Sequence, residues 1–327
     1  MTETKNSAAL QWILGGALVL IGLFVLVALV SVRSQADSVS TSAGVTNVTP
    51  VVDTVFINDT ANARTTTYND GTTPIVLTPG ATKTIHVNGA VTDSNGVGTG
   101  YGDGDLTDVN VTFFRSDATG GRNCTLDNNE CFKTTACTLS TNSATQIYYN
   151  CSINLESYTD STSAGGPDST KTWVASVQAI DDSTANNVNA TINTAEVGTL
   201  LSLVIPGTIN YGTLTRAQET NTSTNQEMTI TQNGNDGADV TVLGTTMPCT
   251  VLGTIPIASQ EWALTDVIYG NAASTDLTGS AVDTNFGISY RTNDATPLTK
   301  VLYWNIGMPA AVSGTCSGTN TITAIAS

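Results

Sequence analysis

One uninterrupted apolar run near the N-terminus constrains the fold of this chain more than any other feature. Residues 12–32 read WILGGALVLIGLFVLVALVSV and contain no charged side chain. At about 1.5 Å per helical residue, such a run extends roughly 30 Å, which is the thickness of a membrane's hydrocarbon core. A helix satisfies all of its own backbone polar groups inside lipid. The sequence therefore predicts a transmembrane helix over residues 12–33, with Trp12 and Arg33 at the two interfaces.

A cleaved signal peptide is the main alternative to a retained anchor. Residues 34–36 (SQA) offer a small-x-small cleavage site. However, a signal peptide has an apolar stretch of roughly 7 to 15 residues behind a basic start. Here the run is longer, and the leader carries Glu3 beside Lys5. These features favour a retained anchor, and a third possibility is a helix in the core of a surface filament.

The residues after the apolar run decide the expected orientation. Lys5 and Arg33 place one cation on each flank, so the positive-inside rule says little. All six cysteines and all Asn-x-Ser/Thr sequons follow the run, and both features suit an oxidising exterior. We therefore expect a single-pass protein of the cell membrane with residues 1–11 as a cytoplasmic leader and an extracellular body.

The charge balance excludes one class of partner. The chain of 327 residues has 27 acidic against 11 basic side chains and a net charge of −16. Nucleic-acid binding depends on clustered lysine and arginine, so we expect no nucleic-acid partner. The expected partners are the membrane, through the helix, together with other surface proteins, glycans or copies of the same chain.

Alternating apolar residues predict an all-β body. Seven strand-like segments separated by turn residues occur in each half, and helical periodicity is lacking beyond Arg33. In the first half they are residues 51–57, 74–77, 82–92, 106–115, 144–155, 171–180 and 187–192. In the second half they are residues 200–205, 227–231, 240–243, 262–268, 286–290, 301–306 and 320–325. Seven strands are the number expected of an immunoglobulin-like sandwich. The predicted order is a stalk over 34–50, an immunoglobulin-like β-sandwich over 51–195 and a second β-sandwich over 196–327.

The cysteines are divided four and two between these proposed domains. Disulfides within each domain are therefore expected, and Cys249–Cys316 is the one choice available in the second. For Cys124, Cys131, Cys137 and Cys151 we favour Cys124–Cys131 with Cys137–Cys151, although four cysteines permit three connectivities. A zinc site is disfavoured because the spacings are wide and the chain has one histidine.

Few residues suggest chemistry. His86, the one histidine, alternates with Ile85 and Val87 and is expected on the surface. A single histidine cannot build the usual nucleophilic triads or multi-histidine metal centres. Carboxylate pairs remain formally open for a glycosidase, but nothing favours any pair. We expect no enzyme activity.

The best ligand-like stretch is DSNGVGTGYGDGDLTD, residues 93–108. Its candidate calcium ligands are Asp93, Asn95, Asp103, Asp105 and Asp108. Closely spaced carboxylate and amide oxygens can supply the six to eight ligands that calcium takes. A long solvated turn explains the same composition. Asp181 and Asp182 could add ligands if their strand ends at the same loop.

Seven sequons raise the question of glycosylation. They begin at Asn47, Asn58, Asn110, Asn123, Asn150, Asn189 and Asn221. Glycans at these sites would shield the surface in a host that attaches them.

Two groups of sequence segments resemble a known kind of surface protein. The first comprises VTNVTPVVDTVFIN, TPGATKTIHVNGAVTDSNG, VNVTFFRSD and WVASVQAID, and the second YGTL, TNFGISYRT and LYWNIGMPAAVSGTCSGTNTITA. They are similar to the immunoglobulin-like domain and the C-terminal β-sandwich of single-pass surface proteins of uncultivated small-genome bacteria and archaea. In that family the last hairpin has glycine where this chain has Asn305 and tyrosine where it has Cys316. The resemblance implies a surface location and a structural or adhesive role.

Three functions are compatible with these features. The first is a membrane-anchored, extracellular structural or adhesive protein without catalysis. The second is a subunit of a pilus-like filament with residues 12–33 in its core, although no Arg/Lys-Gly processing site precedes the apolar run. The third is a carbohydrate-binding module, which would need exposed aromatic side chains on one sandwich face.

Overall fold

The computed structural model describes most of the chain beyond the apolar run. The described residues are 41–42, 46–65, 67–68, 73–97, 106–135, 137–183, 186–188, 193–292 and 298–327. Residues 47–327 form one compact unit. The predicted leader, the transmembrane helix and most of the stalk lie outside the described residues. Within the described ranges, no helix has the length and apolar character needed to cross a membrane.

The first half of the compact unit is a two-layered antiparallel β-structure, here called the first sandwich. Its described strands are β1 (Val51–Asn58), β2 (Lys83–Thr92), β3 (Leu106–Arg115), β4 (Cys131–Thr134), β5 (Cys137–Thr141), β6 (Gln146–Leu155), β7 (Trp173–Asp181), β8 (Asn186–Val188) and β9 (Asn193–Ala195). One sheet has the order β1-β2-β6-β5 and the other β4-β3-β7-β8, with β9 also pairing with β7.

The core of the first sandwich follows from period-two alternation along the long strands. Trp173, Ala175, Val177 and Ala179 on β7 are all fully buried, because successive side chains of a strand point to opposite faces. Phe113 on β3 stacks on Trp173 with 4.9 Å between the ring centroids. These residues pack against apolar side chains of β2 and β6 in one continuous core.

A glycine permits a close approach between β1 and β2. The register of this pair shifts between Val52 and Thr54, where the structure has a bulge-like irregularity. A side chain at Gly89 would place its Cβ only 1.9 Å from the carbonyl oxygen of Thr54. The hydroxyl of Tyr149 donates a hydrogen bond of 2.8 Å to that oxygen. Glycine is therefore required at position 89 for this contact to form.

The second half, here called the second sandwich, has shorter and less regular strands. They are β10 (Leu203–Val204), β11 (Gln226–Gln232), β12 (Ala238–Gly244), β13 (Met247–Pro248), β14 (Thr254–Ile255), β15 (Gln260–Ala263), β16 (Thr275–Asp276), β17 (Val282–Asp283), β18 (Thr299–Ile306) and β19 (Asn320–Ala326). The sheet orders are β10-β11-β18-β15-β16 and β17-β12-β19, with β13 and β14 forming a small hairpin. A second core, separate from the first, lies between the two larger sheets and contains Trp304, Phe286 and Val240.

The all-β prediction is confirmed, but several predicted segments differ from the observed strands. Residues 74–77 contribute only a single parallel bridge, between Ile75 and Val197, in the described structure. The bridge consists of two hydrogen bonds, from Ile75 N–H to the Glu196 carbonyl and from Gly198 N–H to the Ile75 carbonyl. Residues 286–290 likewise contribute one bridge, Ala238 to Ile288. Phe286 and Ile288 are both buried, so the sequence has the alternating apolar residues of a strand. The backbone there makes one bridge and no continuous ladder of strand hydrogen bonds.

Three disulfides close loops in the two sandwiches. They join Cys124 to Cys131, Cys137 to Cys151 and Cys249 to Cys316, the connectivity that the sequence favoured. Cys137 and Cys151 face each other across β5 and β6. No free cysteine remains among the described residues, and the sequence has six in total.

Candidate functional site

The predicted calcium-binding stretch begins in a turn directly after β2. The main-chain N–H of Asn95 donates to Asp93 Oδ1 at 2.9 Å, and Gly96 N–H donates to the Asp93 carbonyl at 3.1 Å. Aspartate favours such turns because its side chain accepts from the backbone two residues on. Asp103 and Asp105 lie outside the described residues.

Asp93 is fully shielded from solvent, with an exposed fraction of 0%. Its second carboxylate oxygen, Oδ2, is buried and accepts no hydrogen bond within the described structure. Burial raises the pKa of Asp93, and the nearby charges of Asp181 and Asp182 raise it further, whereas the hydrogen bond from Asn95 lowers it. The environment of Asp93 is therefore unfavourable for a negative charge that nothing neutralises.

Asp181, the last residue of β7, lies at the same end of the sandwich. The side-chain amide of Asn47 donates to Asp181 Oδ2 and to Ser183 Oγ, both at 2.6 Å. Ser183 Oγ in turn donates to Asp181 Oδ1 at 3.0 Å. The carboxylate of Asp181, which is also buried, is thus held in a fixed orientation.

The segment directly before β1, which includes Asn47 and Val48, also contacts the Asp93 turn. The main-chain N–H of Val48 donates to the side-chain oxygen of Asn95 at 2.7 Å. Asp108, the remaining predicted ligand, is half-buried on β3 opposite Ile180, beyond an irregularity in the β3–β7 register. The structure thus brings the Asp93 turn, Asn47 and the end of β7 together. Among the described residues, no three histidine, cysteine, aspartate or glutamate side chains form a group that could hold a metal ion by themselves.

A second charged cluster, which the sequence patterns do not predict, surrounds Arg115 at the end of β3. The guanidinium contacts Asp117 at 2.6 Å, Asp168 at 3.0 Å and Glu130 at 3.1 Å, and it also pairs with Asp160. We call these five residues the Arg115 cluster. Arg115 is the one lysine or arginine between Lys83 and Arg122. This isolated positive charge is the only feature of the sequence that points to the cluster. Asp117 is only two residues away, but Glu130, Asp160 and Asp168 are 15, 45 and 53 residues away, so local sequence could not reveal the cluster.

Asp160 is the most buried carboxylate of the Arg115 cluster. Only 5% of the residue is exposed. Burial raises the pKa of Asp160 to about 7, and the charges of Asp168 and Glu130 add to this rise, while Arg115 opposes it. Four carboxylates share one guanidinium, and Lys171 pairs with Asp117 alone at 3.4 Å. A proton on the most buried carboxylate therefore relieves the negative charge that remains in excess.

The Arg115 cluster adjoins the contact between the two sandwiches. The side-chain amide of Asn129 donates to the carbonyl of Arg291 at 3.0 Å, and the Arg291 guanidinium lies 3.6 Å from the ring centroid of Tyr158. Asn235, a buried residue of the second sandwich, donates to the Thr159 carbonyl at 2.7 Å. Buried amide side chains therefore join the two sandwiches.

A cleft of about 380 Å³ opens in the second sandwich. Its walls include Ile205, Tyr211, Met228 and Ile322, mixed with main-chain and amide groups. The described lining contains no acidic, basic or histidine side chain. This cleft therefore presents a mixture of apolar side chains and uncharged polar groups, among them Gln260 and Asn320.

His86 is half-buried on the outward face of β2. Its Nδ1 lies 3.2 Å from Ser152 Oγ. Burial lowers the pKa of His86, while the charge of Asp59 opposes this effect. The contacts are those of a structural surface histidine.

The sequons differ in accessibility. Asn47, Asn123 and Asn221 are exposed, Asn110 is half-buried, and Asn189 lies outside the described residues. Asn58 and Asn150 are buried, and the Asn58 amide donates to Thr65 and Asn88. Attachment of a glycan to the folded body is sterically incompatible with burial at these two positions.

Comparisons with known proteins find little. No protein-family model matches the chain, and no curated protein matches it. One similar solved structure is the C-terminal domain of the AgI/II polypeptide BspA of Streptococcus agalactiae. The likeness has 9% identity and a TM-score of 0.21, and it covers 83% of this chain and 96% of that one. A TM-score this low carries no argument about function.

Proposed function

We propose that this protein is a membrane-anchored, extracellular structural or adhesive protein without catalytic activity. In this proposal residues 12–33 anchor the chain in the cell membrane and residues 51–327 form the exposed body. The loops at the sandwich ends and the exposed strand edges would contact other surface proteins, glycans or further copies.

The observation that carries the proposal is the set of three disulfides distributed over both sandwiches. Disulfides persist in oxidising compartments and are rare where thiols are kept reduced. All of them follow the apolar run in the sequence. An exported body behind an N-terminal anchor accounts for both facts.

The strand order supports the finer proposal that the first sandwich is immunoglobulin-like. An immunoglobulin sandwich pairs its first, second, fifth and fourth strands in one sheet. The corresponding sheet here has the order β1-β2-β6-β5, and the facing sheet has β4-β3-β7-β8. If β4 is treated as an additional edge strand and left out of the numbering, β5 and β6 become the fourth and fifth strands. The first sheet then has the immunoglobulin strand order. The second sandwich is less regular, and the domain boundaries at 195 and 196 remain predictions.

The proposal is tested by locating the body on cells that produce the full chain. An antibody against residues 50–327 should label intact cells, and the protein should remain with the membranes after shearing. The test variant carries Leu20→Arg and Leu23→Arg, since each arginine at a helix centre opposes insertion by about 2.5 to 3.5 kcal/mol. Leu20→Ile with Leu23→Ile is the matched control. Label that appears only after permeabilisation, or membrane retention of the arginine variant, contradicts the proposal.

A filament subunit is the second candidate, and the edge position of β19 favours it. This strand ends the order β17-β12-β19, and its side chains are largely exposed or half-buried. An unpaired strand edge can pair with another chain. Negative-stain imaging of the sheared material distinguishes the candidates, because labelled filaments support a polymer and diffuse label on membranes supports a single-pass protein.

A further inference from the structure

Two buried carboxylates lie near each other at the end of the first sandwich where β2 and β7 end, close enough for one to act electrostatically on the other. Asp93 follows β2 and Asp181 closes β7, and their exposed fractions are 0% and 1%. Both are fixed by hydrogen bonds from neighbouring groups, Asn95 for Asp93 and Asn47 with Ser183 for Asp181. The positions of these oxygens are therefore set by the fold and not by flexible surface side chains.

The second oxygen of Asp93 is the observation that points to a ligand. Asp93 Oδ2 is buried, yet no described group donates a hydrogen bond to it. Buried charges in proteins are normally paired or coordinate a metal, because an isolated carboxylate loses the hydration that stabilises it. The ion pairs of Lys83, Arg115 and Lys171 are made with other carboxylates, and none of them reaches Asp93.

The surroundings of Asp93 are rich in oxygen and negative charge. Asp181 and Asp182 are close enough to act on it electrostatically. The Asn95 side-chain oxygen, which accepts from Val48, belongs to the same turn. A positive ion at Asp93 Oδ2 would offset this repulsion and occupy the position of the missing donor.

We propose that Asp93 and Asp181 are ligands of a calcium ion at this end of the first sandwich, with Asp182 adding negative charge. Two carboxylates do not complete the shell, in agreement with the lack of a three-residue metal group in the described ranges. Main-chain, amide and water oxygens supply the remainder, as calcium accepts six to eight oxygens in irregular geometry. Magnesium needs a near-ideal octahedron and is less suited to such a set.

Calcium should also hold the segment before β1, Asn47 and Val48, against the first sandwich. Asn47 hydrogen-bonds the carboxylate of Asp181, and Val48 hydrogen-bonds the Asp93 turn. An ion that fixes both carboxylates fixes both partners of this segment. The site is thus a stabilising one, and its occupancy can be measured without knowing what the body binds.

The experiment uses the full chain in detergent, with calcium chloride alone as the probe. Titration calorimetry should give saturable binding of one ion with a dissociation constant of about 10⁻⁴ to 10⁻³ M, the range of extracellular modules. The melting temperature should rise by several degrees between EDTA and 10 mM calcium, because a ligand that binds only the folded state stabilises it. Equal affinity for magnesium would overturn the assignment to calcium.

The decisive variant is Asp93→Asn. It keeps the shape and removes the buried charge, so in EDTA it should melt at or above the temperature of the unaltered protein. Calcium should then leave its melting temperature unchanged. Asp181→Asn should also lose calcium binding, whereas Asp276→Asn, an exposed carboxylate of the second sandwich, should retain it. No response in the unaltered protein, or a full response in Asp93→Asn, overturns the proposal.

Discussion

At the scale of single residues, two buried aspartates show how the same group acquires different roles from its surroundings. Asp160 contacts a guanidinium and shares it with three other carboxylates. Asp93 has no described cation, and one of its oxygens has no donor. Around Asp160, excess negative charge favours a bound proton, whereas Asp93 would be stabilised by a bound cation.

The raised pKa of Asp160 predicts a pH-dependent stability. Its pKa rises from an ordinary value of 3.8 to about 7 in the folded protein. Between these values the folded state binds more protons than the unfolded state, so this contribution to stability is lost as the pH rises through about 7. Thermal melts at pH 5 and pH 8 should show a decrease of several degrees that Asp160→Asn makes smaller.

The pH dependence of the unaltered protein must be compared with that of Asp160→Asn, because His86 changes the stability with pH in the opposite direction. Burial lowers the pKa of His86, so its contribution to stability increases with pH. Asp266→Asn, which changes an exposed carboxylate, is the matched control and should keep the slope of the unaltered protein. If Asp160→Asn has that slope too, Asp160 does not hold a proton near neutral pH.

At the scale of the elements, the three disulfides close loops of very different length. The sequence separations are 7 for Cys124–Cys131, 14 for Cys137–Cys151 and 67 for Cys249–Cys316. In the chain-entropy model these lengths correspond to about 2, 3 and 4 kcal/mol. The bond that constrains the unfolded chain most is therefore the one in the second sandwich, where the strands are shortest.

Replacing Cys249 and Cys316 together by alanine should consequently lower the free energy of unfolding by about 4 kcal/mol. These cysteines are only half-buried, so little packing is lost with the bond. Chemical denaturation under non-reducing conditions measures the change. The corresponding replacement of Cys124 and Cys131 is the comparison, and it should cost about 2 kcal/mol plus the packing of two buried sulfurs. A loss well below about 4 kcal/mol for the 249–316 pair would show that loop length does not govern its contribution.

The elements also show which parts of the fold the sequence could predict. Long strands such as β2 and β7 were found because one of their faces is buried along its full length, which produces clean alternation. Two-residue strands such as β13 and β14 are too short to have a period. Asp93 stood out through local acidic density, whereas Arg115 and Asp168 are separated by 53 residues and meet only through loop packing.

At the scale of the whole molecule, the two sandwiches have separate cores but belong to one compact unit. Their connection depends on buried polar groups. Asn235 donates to the carbonyls of Thr159 at 2.7 Å and Gly198 at 2.9 Å, and it accepts from Leu200 N–H at 2.6 Å. One side chain thus joins the first sandwich, the connecting segment and the β11–β12 turn.

Asn235→Ala should weaken the coupling between the sandwiches. The change leaves two carbonyls and one N–H without their partner, and each buried group left unsatisfied costs roughly 1 to 3 kcal/mol. Because the lost bonds hold the contact and not either apolar core, calorimetry should show one cooperative transition in the unaltered protein and a broadened or divided transition in the variant. Asn271→Ala, an exposed turn asparagine, is the matched control. A variant that still unfolds in one sharp transition at lower temperature would mean that Asn235 stabilises the second sandwich alone, and that the surrounding contacts of Asn129 and Arg291 couple the two halves.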